Sequence, residues 1–80
     1  MTRPDAVLDA TGLLCPLPVL KARKRLKDLT QGQILEVHAD DPAARVDIPH
    51  FCAEQGHEFI GAEDRANGLL VFQLRKGKAA

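Results

Sequence analysis

Eighty residues, 45% apolar and 28% charged, describe an ordinary soluble globular chain: a single domain over 1–80 with an ordered core from about 6 to 76. Eleven basic and eleven acidic residues give zero net charge, which argues against direct nucleic-acid binding, because phosphate contacts need a basic excess. No apolar run reaches the ~18 residues of a membrane span and Met1-Thr2-Arg3-Pro4 lacks a signal-peptide pattern, so a cytoplasmic protein is expected.

Residues 1–5 read as a frayed tail. Ala6-Val7-Leu8-Asp9-Ala10 is a short strand, closed by Thr11-Gly12, where the glycine permits a turn conformation. Helical spacing then runs from Pro16 to about Leu29, with Val19, Ala22, Leu26 and Leu29 forming the buried stripe. Pro16 and Pro18 suit the first helical turn, whose N–H groups have no intrahelical partner in any case. That places Cys15 at the N-cap, Pro16 at N1 and Pro18 at N3. Gly32 is expected to end the helix.

Gln33 to Ala39 alternates as a second strand, with Leu35, Val37 and Ala39 facing the helices and Glu36 and His38 facing away. Asp40-Asp41-Pro42 reads as a helix start. Pro49 lies seven residues on, where it would remove a helical hydrogen bond. A short turn at 42–46 is therefore expected, followed by a helix from Asp47 with Ile48, Phe51, Cys52 and Gln55 on one side and its end at Gly56. Strands from His57 to Glu63 and from Gly68 to Arg75 are joined through Asn67-Gly68, a strong hairpin signal. Lys76 to Ala80 is a polar tail. The order β-α-β-α-β-β implies an α/β two-layer sandwich, a four-stranded mixed sheet with two helices on one face.

Two cysteines 37 positions apart form neither a zinc knuckle nor a Cys-x-x-Cys redox pair. A free cysteine is commonly just a small buried hydrophobe. Cys15 departs from that in standing at a loop-to-helix junction between Gly12 and the two prolines, where Ser, Thr, Asp or Asn would ordinarily cap. The helix dipole there favours a thiolate, as do five of the eleven basic residues, clustered at Lys21, Arg23, Lys24, Arg25 and Lys27. Pro16 and Pro18 delete two N–H groups near the sulfur while Leu17 and Val19 keep theirs. Such a donor-poor tip is unlike an oxyanion hole and suits a sulfur presented on a rigid post to another protein. Lys21, Arg23 and Lys24 are candidates for partner docking, set against the plainer reading of a solvated helix face. Cys52, beside Phe51, reads as core; its alternative is a resolving thiol for Cys15. His50 and Cys52 point about 200° apart on a helix, and with no third ligand clustered nearby metal binding is not expected.

The ordered set Leu8-Asp9-Ala10-Thr11-Gly12-Leu13-Leu14-Cys15-Pro16-Leu17-Pro18, Asp40-Asp41-Pro42-Ala43, Asp47-Ile48-Pro49-x-Phe51-Cys52 and Arg75-Lys76-Gly77 resembles the TusA/SirA family of small sulfur-carrier proteins. The resemblance spans nearly everything from Val7 to Gly77 and implies the same two-layer fold. It further implies that Cys15 accepts a sulfane sulfur as a persulfide, with Gly12, Pro16 and Pro18 supporting the site. The donor would be a cysteine desulfurase or other sulfur-donor protein, and the recipient a downstream sulfur-relay acceptor protein. Destinations implied by the family are the 2-thiouridine relay of tRNA, molybdenum-cofactor supply, sulfur oxidation and selenium metabolism. No cofactor beyond the covalent persulfide sulfur is implied, and a monomeric, sulfurtransferase-type carrier is expected rather than an independent turnover enzyme. Leu14 and Leu17 stand where some tRNA-pathway members carry charged residues, which makes the rim of Cys15 more apolar. The contrasting expectations are a regulatory or RNA-associated binding module without sulfur transfer, and a redox protein pairing Cys15 with Cys52.

Overall fold

The computed structural model describes residues 1–78; Ala79 and Ala80, the end of the expected polar tail, lie outside the described residues. In chain order the elements are β1 (Ala6–Asp9), α1 (Leu17–Leu26), β2 (Ile34–Ala39), α2 (Ala44–Gln55), β3 (Glu58–Asp64) and β4 (Leu70–Arg75). They form one four-stranded sheet in the order β1-β2-β4-β3. β1 runs parallel to β2, and both pairings of β4 are antiparallel. The α/β two-layer arrangement read from the sequence is the one observed.

Alternation explains the core. Leu35, Val37 and Ala39 of β2 are fully buried and stand opposite Leu74, Phe72 and Leu70 of β4. Onto this inner face α1 brings Ala22 and Leu26, and α2 brings Ala44, Ile48, Phe51 and Cys52, all in one continuous cluster. Removal of a large aliphatic or aromatic side chain from water contributes about 1.5–3 kcal/mol. Val19 and Leu29, expected in the stripe, are only partly buried against its edge, and Gln55 is exposed.

Both helices differ from the pattern reading in their bounds. α1 stops at Leu26, not Leu29: Lys27, Asp28 and Leu29 donate to the carbonyls three residues back, so the helix tightens into a last turn well before Gly32. α2 is a single helix with Pro49 inside it. Ala44, Arg45 and Val46 donate to the carbonyls of Asp41, Pro42 and Ala43, so the turn expected at 42–46 is the helix's own tight first turn. Pro49 leaves only the Arg45 carbonyl without its intrahelical donor, a loss near the solvent-exposed end that burial of Ile48, Phe51 and Cys52 outweighs. Between β3 and β4 the chain turns through Ala66–Gly68, with Asn67 at φ 62° and Gly68 at φ 77°, as the Asn-Gly pair predicts.

The segments before β1 and after β4 are tied to the sheet. Gln73 of β4, almost fully buried, faces away from the helices; its Oε1 accepts from the Thr2 N–H and its Nε2 donates to the Thr2 carbonyl and to Glu36. The Asp5 N–H donates to the Ile34 carbonyl, and the Ile34 N–H donates to the Asp5 carboxylate. Residues 1–5 are thus a strap and not a frayed tail. Their sequence is polar, but a buried amide in β4 needs partners. Lys76 likewise pairs its backbone with Gln33 and Gly32, and its Nζ donates to the Leu29 carbonyl. On the same outer face His38 bonds Glu36 (2.7 Å), which holds the Glu36 carboxyl below its usual range.

Candidate functional site

The site is built where two loops at one end of the sheet meet. The β1–α1 loop starts with an Asp9 carboxylate that accepts from the backbone and hydroxyl of Thr11 and is thereby held below the usual carboxylate range. Gly12 follows at φ 81°, a left-handed conformation that a side chain would strain, and its N–H donates to both Asp40 oxygens at 3.0 and 3.1 Å. Three residues later the Cys15 N–H donates to Asp41 Oδ2 at 2.7 Å, while Asp41 Oδ1 accepts from Ala43 N–H at 3.1 Å. Asp40 and Asp41 therefore do more than start a helix: they stitch the cysteine loop to the β2–α2 loop. Two adjacent carboxylates where one cap suffices were the signal in the sequence.

Cys15 is exposed and stands one residue outside the expected register. Pro16 is the N-cap, Leu17 N1 and Pro18 N2. The donor-poor tip is barer than the sequence suggested. Pro16 and Pro18 have no N–H, the Cys15 N–H is committed to Asp41, and the Leu17 N–H donates to the Leu14 carbonyl at 2.8 Å. Residues 15–18 thus offer no free backbone N–H to an oxyanion, which leaves that of Val19, on the groove wall, as the nearest one along α1.

The expected thiolate is not supported. The Cys15 thiol is held above its ordinary range, first by the Asp47 carboxylate that shares its groove, then by desolvation and by the negative charge of Asp41. Two full charges close to the sulfur outweigh the half-charge of a helix dipole. The basic residues meant to counter them are elsewhere. Lys21, Arg23 and Lys24 are exposed on α1, and Leu20, Arg23, Lys24 and Lys27 surround their own depression. Beside Cys15, a shallow groove of about 200 Å³ is completed from α2 by Asp47, His50, Phe51 and Glu54. Nothing local in the sequence marks Asp47, His50 and Glu54 as neighbours of Cys15, because only the docking of α2 beside α1 brings them there. Leu14, Leu17 and Leu20 are exposed, Leu14 at 71%, the first two within two residues of Cys15 in the chain.

Cys52 lies in the core, 1% exposed, and burial pushes its thiol up to about 11. Both cysteines are free. His50 is exposed on α2, where it faces Glu54 at 3.4 Å rather than Cys52. Among the described residues no three His, Cys, Asp or Glu side chains gather as a metal site, and no helix is long and apolar enough to cross a membrane.

Fold and site together define a small two-layer α/β domain that displays one exposed thiol at a helix start. A family model described as sulfurtransferase TusA matches residues 6–76. The sulfur carrier protein TusA of Pseudomonas paraeruginosa is 47% identical over 77 residues, covering 95% of this chain and 96% of that one. The putative sulfur carrier protein YrkF of Bacillus subtilis is 44% identical over 77 residues, covering 96% of this chain but 41% of YrkF, so the chain spans less than half of that relative. The crystal structure of a SirA-like protein from Desulfitobacterium hafniense superposes with a TM-score of 0.80 at 26% identity, covering 91% of this chain and 99% of the other. The chain belongs to the TusA family.

Proposed function

We propose that this protein carries sulfane sulfur on Cys15 between a donor protein and an acceptor protein. Loading is an exchange: the Cys15 sulfur attacks the outer sulfur of a donor persulfide, the donor S–S bond breaks, and the donor keeps the electron pair as thiolate while Cys15 holds the outer sulfur. The proton lost by Cys15 passes to the departing thiolate, so no oxidant is consumed. Unloading is the same step with an acceptor thiolate as attacker. The observation that carries the reading is the exposed Cys15 thiol on a tip where the backbone N–H groups of residues 15–18 are absent or committed. That tip favours handing over an atom above stabilising an acyl intermediate.

The donor is a cysteine desulfurase or other sulfur-donor protein, and the acceptor a downstream relay protein feeding tRNA thiolation or molybdenum-cofactor and sulfur metabolism in the cytoplasm. Lys21, Arg23 and Lys24, beside the exposed Leu17 and Leu20, provide the docking face. Gly12, Pro16 and Pro18 hold the thiol in place, and no cofactor other than the carried sulfur is needed. Burial of Cys52 disfavours the redox reading, and zero net charge disfavours the RNA-associated one.

Incubation with a cysteine desulfurase and cysteine, followed by intact-mass measurement, is expected to add one sulfur of about 32 Da, from its atomic mass. The adduct should persist in Cys52→Ser and vanish in Cys15→Ser. No adduct, or one confined to Cys52, overturns the proposal.

A further inference from the structure

The charge around Cys15 is opposite in sign to that of the helix it introduces. α1 carries four cations and Lys27 follows at its C-terminal end, yet none of the five lines the groove at the thiol. Asp47 and Glu54 face it from α2, and Asp41 is bonded to the Cys15 N–H directly behind it. The one basic group in the groove, His50, is turned onto Glu54. Among the described residues neither Asp41 nor Asp47 has a cationic partner within salt-bridge distance. Their negative field therefore reaches whatever approaches the sulfur.

We propose that Asp41, Asp47 and Glu54 form a charge filter on sulfur exchange at Cys15, retarding anionic low-molecular-weight thiols and persulfides and admitting neutral or cationic groups. This deepens the carrier reading and rests on it. In the exchange an incoming thiolate R–S⁻ attacks the outer sulfur of Cys15–S–SH. The Cys15–sulfur bond breaks, R–S–SH leaves, and Cys15 retains the electron pair as thiolate and takes up a proton from water. Negative charge spread along the three sulfurs is common to every attacker. What differs is any further charge on R, a few ångströms outward, where it meets three carboxylates. A thiol that bears carboxylates is repelled there; one presented beside lysine or arginine is attracted. Sulfur loaded on Cys15 is thereby kept from an anionic pool of small thiols and reserved for basic protein surfaces.

The test uses the free-thiol protein and three disulfides of equal reactivity class: cystamine, with two ammonium groups, neutral 2-hydroxyethyl disulfide, and dithiodiglycolate, with two carboxylates. Adduct formation at Cys15 is followed by peptide mass and compared with 2-mercaptoethanol as reference thiol. At low salt the cystamine-to-dithiodiglycolate rate ratio is expected about tenfold above the reference, collapsing toward it near ~1 M salt, where the screening length is ~3 Å. Asp47→Asn and Glu54→Gln should each lower the ratio roughly threefold, and Lys27→Gln should not. A wild-type ratio at or below the reference, or one unchanged in both acidic-site variants, overturns the filter. Because the assay needs no persulfide, its outcome is separate from the desulfurase experiment, which alone decides the carrier reading.

Discussion

Asp41 and Cys15 are joined by a 2.7 Å hydrogen bond from the Cys15 N–H to a carboxylate that also accepts, through its other oxygen, from Ala43. One side chain thus fixes the backbone at the thiol and the entry to α2 together. Hydrogen bonds to a charged acceptor contribute about 1.5–3 kcal/mol when shielded, and less at this open site. Asp41→Ala should lower stability by about 1 kcal/mol, read by urea unfolding, and speed hydrogen exchange at the Cys15 amide. Asp41→Asn keeps one carbonyl acceptor and should lose less. Equal losses in the two variants would show that the double bond is not what holds the loop.

The same carboxylate neighbourhood fixes the thiol's reactivity. Since Asp47 and Asp41 hold the Cys15 thiol above its ordinary range, the thiolate fraction at neutral pH falls below the few per cent of free cysteine. Alkylation of Cys15 by iodoacetamide at pH 7 should be slower than that of a model thiol and still be rising with pH where the model levels off. Asp47→Asn removes the principal cause, so its thiol ionises at lower pH and reacts a few-fold faster at pH 7. A slower Asp47→Asn protein would refute this assignment.

Docking through α1 is a separate matter from chemistry at the groove. Lys21, Arg23 and Lys24 are solvent-exposed, and nothing in the fold requires their charge. If they steer a partner, sulfur loading by a desulfurase slows as salt rises. The triple change Lys21→Gln, Arg23→Gln and Lys24→Gln should reduce loading about tenfold at low salt and flatten its salt dependence. Stability should stay within about 0.5 kcal/mol, as for surface changes elsewhere. A loading rate indifferent to both salt and the triple change identifies this face as merely solvated.

Gly77 is where the segment after β4 packs against the end of α2. A Cβ there would lie 1.8 Å from the Gly56 carbonyl oxygen and 2.9 Å from its carbon, both backbone atoms that cannot swing aside. The Gly77 N–H also donates to His57 Nδ1 at 3.0 Å. Gly77→Ala should cost at least about 2 kcal/mol, a drop in Tm on the order of 10 °C for a domain of this size. Cys15 alkylation, at the other end of α2, should be unaffected at temperatures where the variant is folded.

The strands were legible because their signal is local. Period-two burial in β2 and the Asn67-Gly68 pair name the face and the turn without reference to any other segment. The exposed position of Cys15 just before a helix was legible for the same reason, through Gly12, Pro16 and Pro18 around it. Its ionisation was not. The helix dipole and the basic run adjoin it in sequence and argue for a thiolate, but the carboxylates that decide the matter come from chain segments beyond β2, Asp41 being 26 residues away. Pro49 misled in the opposite sense: a local penalty of one hydrogen bond suggested a break, and the burial of Ile48, Phe51 and Cys52 overrode it. Thr2 shows the remaining gap, since only the position of Gln73 in the folded sheet reveals why a polar tail should be held.

Cys52 gives stability a pH dependence of calculable sign. Its thiol is buried among core residues and pushed up to about 11, whereas in the unfolded chain it titrates near 8.5. The folded form therefore favours the neutral thiol, and the difference stabilises nothing extra below about pH 8, where both states are protonated. As pH rises through about 8.5 the unfolded thiol ionises while the folded one does not, which draws the equilibrium toward unfolding until about pH 11. Partial shielding places the loss at about 1–2 kcal/mol. Cys52→Ala lacks this titration but leaves a small cavity, so it should be less stable than the parent at pH 7.5 by about 1 kcal/mol. Urea unfolding under reducing conditions at pH 7.5 and 10.5 should find that gap closing or reversing at the higher pH. A gap that stays constant would mean that Cys52 ionises alike in both states, contrary to its burial.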